Sequence, residues 1–177
     1  MRLTHFRMRL AGVLGAAAIL ALSAVTAQAQ TRYDRQTTRE VLSRMHHVNQ
    51  MEIRLGALAM TKGRDPDVRD FGRQLRDDHI RNDRQVVNLA SREGVQLVAI
   101  GMNPHERQVS RRLRMARGHE FDREFLDAMA QGHTQVIQMM RQAHRDVRDP
   151  EVRRFIGSTL PALREHRNMA RSFQDQL

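Results

Sequence analysis

The sequence predicts an all-α protein: an antiparallel four-helix bundle built from two repeated helical hairpins, with a short helix in their connection. Three observations predict it. Strand signals are absent, and apolar residues recur at 3-4 spacing from about Gln36 to Gln174. Asp or Asn followed by Pro marks three helix starts, at Asp65-Pro66, Asn103-Pro104 and Asp149-Pro150. One stretch also occurs twice. Arg64-Asp65-Pro66-Asp67-Val68-Arg69-Asp70-Phe71 matches Arg148-Asp149-Pro150-Glu151-Val152-Arg153-Arg154-Phe155. Downstream, Asp78-His79 matches Glu165-His166, with three extra residues in the second copy. Neither hairpin can bury its apolar face alone, so the two close on each other.

The leading segment stands apart from this pattern. Arg2, Arg7 and Arg9 form a basic region, Leu10 to Val25 is apolar, and Ala27-Gln28-Ala29 has small residues where a signal peptidase cuts. Residues 1–29 are expected to be a secretory signal peptide and residues 30–177 the bundle domain. The alternative is an uncleaved membrane anchor, since the apolar stretch is only slightly short for a span. The first bundle helix then runs from about Gln36 to Lys62, with Gly63 beyond its end. The second runs from Pro66 to about Glu93 and stops at Gly94. Residues 95–104 connect it to a short helix, about His105 to Arg117, stopped by Gly118. The third long helix covers about Glu120 to Asp146, and the fourth Pro150 to about Gln174. Pro161 lies inside the fourth, where it removes one backbone bond and should kink the helix before His166. That kink either aims His166 inward or simply wraps the helix around its neighbours.

Composition excludes several functions. The chain has no Cys among 177 residues, so it has no disulfide, thiolate metal site or Cys nucleophile. No Trp, one Tyr and six Phe leave no platform for stacking bases. The formal charge is +10. Removing residues 1–29 takes away three Arg and no acid, leaving 27 basic and 20 acidic residues. Arg and Asp alternate from Asp65 to Arg84, the pattern of a solvated helix face. An exported basic protein belongs in a bacterial periplasm or at the outer membrane. There its counter-surface is an anionic envelope polymer or lipid rather than nucleic acid.

Each apolar stripe is interrupted near its middle by a strong ligand type. The first helix reads Val41, Met45, Val48, Glu52, Leu55, Ala59, and the second Phe71, Leu75, His79, Asn82, Val86, Leu89. The third reads Asp122, Leu126, Met129, His133, Val136, Met140, Ala143. The fourth reads Val152, Phe155, Thr159, Leu163, His166, Ala170, Phe173. At 1.5 Å per residue, Glu52 and His79 lie roughly 18 and 22 Å from the first hairpin turn, and His133 and His166 roughly 22 and 27 Å from the second. Antiparallel helices bring all four to one depth. A buried Glu and buried imidazoles need partners, and one Fe, Mn, Zn or Cu ion would satisfy them together. Asn49, Asp78, Asp83 and Asp122 are candidates for a fifth ligand or for orienting the imidazoles. The alternative is a Glu–His hydrogen-bond network that only fixes helix register. Met139-Met140 near His144 is either a copper-binding surface or core filling. His46, His47 and His105 are expected at the surface. No Gly-rich phosphate loop or Ser-His-Asp grouping is visible.

These residues resemble a known family. Asn49-x-x-Glu52-Ile53-x-Leu55-Gly56-x-Leu58-Ala59 is one segment of the resemblance, and Val68-x-x-Phe71 with Asp78-His79 is a second. Phe121-Asp122-x-x-Phe125-Leu126-x-x-Met129-x-x-x-His133 and Leu160-Pro161-x-Leu163-x-x-His166 complete it. Together they are similar to the bacterial domain-of-unknown-function family 4142. The resemblance implies a ferritin-like four-helix bundle in an exported protein, with motif positions on Glu52, His79, Asp122, His133 and His166. It implies no activity. Di-iron bundles use Glu-x-x-His motifs, whereas the residues three before His79, His133 and His166 are Arg76, Ala130 and Leu163. Ferroxidase activity is therefore not expected. Three functions remain: a metal-binding or redox-protective envelope protein, a metal-free structural or interaction module, and an enzyme using the metal with an open position, for which the sequence offers no substrate clue.

Overall fold

The computed structural model describes the backbone of residues 11–177 and the side chains from Gln28 onward. The proposed basic region at Arg2, Arg7 and Arg9 lies outside the described residues. The elements are α1 (Ala11–Lys62), α2 (Pro66–Arg92), α3 (Pro104–Met115), α4 (Gly118–Asp146) and α5 (Pro150–Gln174), with no strand among the described residues. Helix α1 begins earlier than the expected start near Gln36, because no Pro and no late Gly interrupts the Ala- and Leu-rich stretch before it. The chain divides into two compact units, one up to Gln36 and one from Thr37 to Leu177. Among the described residues no helix is long and apolar enough to cross a membrane.

The starts and stops follow from local chemistry. Asp65 accepts the Asp67 N–H at 2.8 Å, and Asp149 accepts the Val152 N–H at 2.9 Å. Asn103 and Glu106 form a reciprocal capping box at the start of α3. The two hairpin turns share a second device. Arg69 donates to the carbonyls of Gly63 and Arg64, and Arg153 donates to those of His144 and Val147. Each guanidinium thus occupies carbonyls left unpaired where the preceding helix stops. Gly94 ends α2 with φ of 61°, a conformation that side chains resist. Gly118 opens α4 instead of ending α3, which stops at Met115 with Ala116 as its cap.

Two apolar cores hold the unit together. One contains Leu42 and Met45 of α1, Val86 and Leu89 of α2, Ile137 and Met140 of α4, and Ile156 and Leu163 of α5. The other contains Leu55 and Ala59 of α1, Phe71 and Leu75 of α2, Phe121, Phe125 and Met129 of α4, and Ala170 of α5. Helix α3 closes the second core with Leu113, and Lys62 donates to the carbonyls of Leu113 and Arg114 at its end. Helices α1 and α2 come nearly into backbone contact. A Cβ added to Gly56 would stand 2.5 Å from the Gly72 carbonyl oxygen, so only glycine fits there. The α1 stripe keeps Met45, Glu52, Leu55 and Ala59 inside as expected and differs at two positions. Leu42 and Asn49 are buried, whereas Val41 and Val48 are half-buried. Both sets satisfy the helical period, and the larger Leu takes the interior.

Candidate metal centre

In every long helix the polar positions fall between the residues of one core and those of the other. Glu52 and Asn49 of α1, His79 of α2, His133 of α4 and His166 of α5 are all buried, with 7%, 0%, 3%, 1% and 2% exposure. The three imidazole centroids lie 5.3 to 5.8 Å apart. One nitrogen from each ring lies within 4.8 Å of the other two.

Hydrogen bonds fix which nitrogen each ring turns towards its neighbours. The Asn49 amide donates to Asn82 Oδ1 at 2.9 Å, so its oxygen is the atom that accepts from His79 Nδ1 at 2.8 Å. Asn82 in turn donates to Thr159 Oγ1 at 3.1 Å. His133 Nδ1 donates to the Met129 carbonyl at 2.9 Å, and His166 Nε2 donates to Asp78 Oδ2 at 2.9 Å. Each ring therefore spends its proton outward. His79 Nε2, His133 Nε2 and His166 Nδ1 are left as buried lone pairs with no hydrogen-bond partner, and Glu52 Oε2 has no partner either. Three buried imidazole acceptors that meet no donor are unfavourable by themselves.

The electrostatics agree. Burial pushes the Glu52 carboxyl up to about 8. Burial, reinforced by His133 and His166, holds His79 well below the usual imidazole range. Burial and the neighbouring His166 bring His133 down to about 4, against the opposing bond to Met129. These two imidazoles are neutral at pH 7, the form that ligates a metal. Nitrogens on one ion at ~2.0–2.1 Å stand about 3.5 Å apart.

The fate of each expected residue is clear. His79, His133 and His166 converge; the Glu52 carboxylate lies outside the set of ligand atoms within 4.8 Å of one another. Asn49 and Asp78 orient imidazoles. Asp83 holds His46 at 2.7 Å and Gln50 at 2.8 Å, and no central imidazole. Asp122 accepts the backbone N–H groups of Arg64 at 2.9 Å and Asp65 at 3.0 Å, because the first turn of α4 stands level with the α1–α2 turn. It caps that turn and does not reach the centre. His47 is not a free surface residue; it bonds Glu106 at 3.2 Å, and His105 is exposed as expected. Sequence reasoning missed Asn82, Thr159 and the Met129 carbonyl as members of the network. Asn82 and Thr159 already stood in the stripes of His79 and His166, and that shared face was the available signal.

Several solved structures share this fold. A crystal structure of a DUF305 fragment from Deinococcus radiodurans matches with a TM-score of 0.68 and 19% identity, covering 82% of this chain and 97% of that one. CopM in its Cu(I)-bound form matches with a TM-score of 0.66 and 16% identity, covering 78% of this chain and 96% of that one. CopM in its Ag-bound form gives 0.65 and 16% over the same shares. At these identities the likeness is one of fold. No curated protein sequence matches the chain. The family model for the domain of unknown function DUF4142 matches residues 23–173, and the chain belongs to that family.

Proposed function

We propose that this protein binds one transition-metal ion through His79, His133 and His166, with Glu52 balancing its charge or completing its shell. One observation carries the proposal: three buried imidazole lone pairs share one small space, and each ring's other nitrogen is already hydrogen-bonded. Of Fe, Mn, Zn and Cu, the imidazole set suits Cu and Zn best. A desolvated site of neutral ligands favours the ion of lower charge, because burying charge is costly. That points to Cu(I). Cu(I)- and Ag-bound forms of CopM, a protein of the same fold, support the choice.

The setting follows from the rest of the chain. We read residues 1–29 as an export signal and residues 30–177 as a ferritin-like antiparallel four-helix bundle, since both cores draw on the same four helices. Copper handling in the periplasm or at the outer membrane suits such a protein, and its basic surface suits an anionic envelope. The absence of Glu-x-x-His motifs speaks against ferroxidase chemistry.

Metal analysis of protein isolated from its native compartment, followed by anaerobic Cu(I) competition titration, tests the proposal. One equivalent of Cu(I) should bind, and the His79→Ala variant should lose it. A chain whose melting temperature ignores Fe, Mn, Zn and Cu would overturn the proposal and leave the register network as the function of these residues.

A further inference from the structure

A buried ligand set needs a way in. A cavity of about 120 Å³ lies between α1, α3 and α4. Met51, Glu52 and Met129 are buried in its wall, while Gln131, Gln135 and His105 are exposed along it. The three imidazoles do not line it, but the wall comes within one residue of them. Gly132 lines it and precedes His133, and the lining residue Met129 accepts the hydrogen bond of His133 Nδ1 at its carbonyl. Glu52 also lines it, 7% exposed, with Oε2 lacking any partner.

Gly132 itself requires an explanation. It sits inside the 29-residue helix α4, where glycine costs about 1 kcal/mol relative to alanine. It has no positive φ. It is not forced by close packing either, because an added Cβ would meet nothing within 4 Å, unlike at Gly56 and Gly72. An added Cβ there would stand in open space at the cavity wall.

We propose that this cavity is the passage by which a metal ion reaches the three imidazoles. Met51, Glu52 and Met129 are the donors it meets on the way, and Gly132 keeps the passage clear. The inference rests on the metal-binding proposal above. An ion stripped of water cannot cross an apolar wall without replacement ligands. Two thioethers and a carboxylate supply them, and thioethers select Cu(I) over Mn or Zn. The ion is then handed from Glu52 to His133 and its neighbours.

The test separates rate from affinity, since a narrowed passage slows arrival and departure alike. Transfer of Cu(I) from a chromophoric chelator is followed by stopped flow, anaerobically, in the full chain. Gly132→Leu fills the cavity from α4, and Val109→Phe fills it from α3. Both should slow association and dissociation by about tenfold or more, with Kd held within about threefold. Gly157→Leu, on the exposed face of α5, should exchange at the wild-type rate. Wild-type rates in both filled variants would overturn the passage. So would a weakened Kd with faster dissociation, which would mean the cavity is part of the binding shell. If the wild-type chain takes up no Cu(I), the metal-binding proposal falls and the passage with it. If it does take up Cu(I) and only the filled variants behave as wild type, the passage alone falls.

Discussion

The α1–α2 and α4–α5 hairpins are built alike at their turns and differently at their centres. Shifting the sequence by 84 positions superposes Asp65 on Asp149, Arg69 on Arg153, and Leu42 and Met45 on Leu126 and Met129. The same shift places Asn49 on His133 and Glu52 on Val136. So α1 supplies the amide that orients an imidazole, and α4 supplies an imidazole at the equivalent place. The second-helix pair, His79 and His166, matches only after three extra residues, a rotation of about 300° rather than a full turn. Correspondingly, the two rings are held as opposite tautomers. His79 donates through Nδ1 and His166 through Nε2. Duplication provides one depth for all four helices. Unequal residues then turn a symmetric frame into three imidazoles and one orienting amide.

The most severe way to break this asymmetry is to erase it. His133→Asn gives α4 the residue that α1 carries and removes one of three ligands. Cu(I) affinity should fall by more than about 100-fold, beyond the range expected for an orienting partner. Competition titration measures it, and retained affinity would show that two imidazoles suffice.

Removing the supports should cost less. Asn49→Ala and Asp78→Ala leave all three ligands but free the rings of His79 and His166, and each should weaken Cu(I) binding about 10–100-fold. Asp83→Ala, whose carboxylate holds His46 and Gln50, should leave the affinity unchanged. Equal losses at Asp78 and Asp83 would mean that general destabilisation, not ring orientation, is being measured.

The metal-free chain should show the two kinds of centre in its pH dependence. His133 is lowered to about 4, so between pH 4 and 6.5 the unfolded chain holds protons the folded one does not. Stability should rise with pH across that window, and His79 acts in the same direction. Glu52 is raised to about 8, so the folded chain keeps a proton that the unfolded one releases above 4.5. Its contribution is complete below pH 4.5 and is lost as pH rises towards 8. The histidines outweigh it on the acid side and no longer offset it above 6.5, giving a maximum near there. Each pH unit on the alkaline limb costs up to about 1.4 kcal/mol. Denaturant melts of Glu52→Gln should keep the acid limb and lose the alkaline one.

Most of this frame was legible in the sequence. Asp-Pro caps fixed the starts of α2 and α5, and 3-4 spacing carried His79, His133 and His166 to one depth. Periodicity alone could not settle which of two adjacent residues turns inward, and Asn49 rather than Val48 takes the interior. Nor could it separate acids by height along the helices. Asp78 is adjacent to His79, as a solvated acid could equally be, and Asp122 sits on an interior stripe yet serves a turn. Such differences depend on which neighbouring helix stands opposite, a tertiary fact that no single stripe contains.

Asp122 also yields the smallest effect and the finest contrast between the halves. Its two oxygens accept two backbone N–H groups of the α1–α2 turn. The equivalent position in α1 is Thr38, a neutral side chain that is also buried. The first turn is thus tied by a carboxylate from the other hairpin, in addition to its own Asp65 cap. Asp122→Asn keeps the shape and weakens both charge-assisted bonds, so it should cost about 1–3 kcal/mol. Thr38→Ala should cost less, since no charge is lost. Amide exchange locates the effect. The Arg64 and Asp65 amides should lose protection in Asp122→Asn, while the amides of the α4–α5 turn keep theirs. If both turns loosened together, the two hairpins would be one cooperative unit and the carboxylate a general stabiliser. If the first turn alone loosens with Cu(I) affinity unchanged, the turns and the centre are separable, as their separate residues imply.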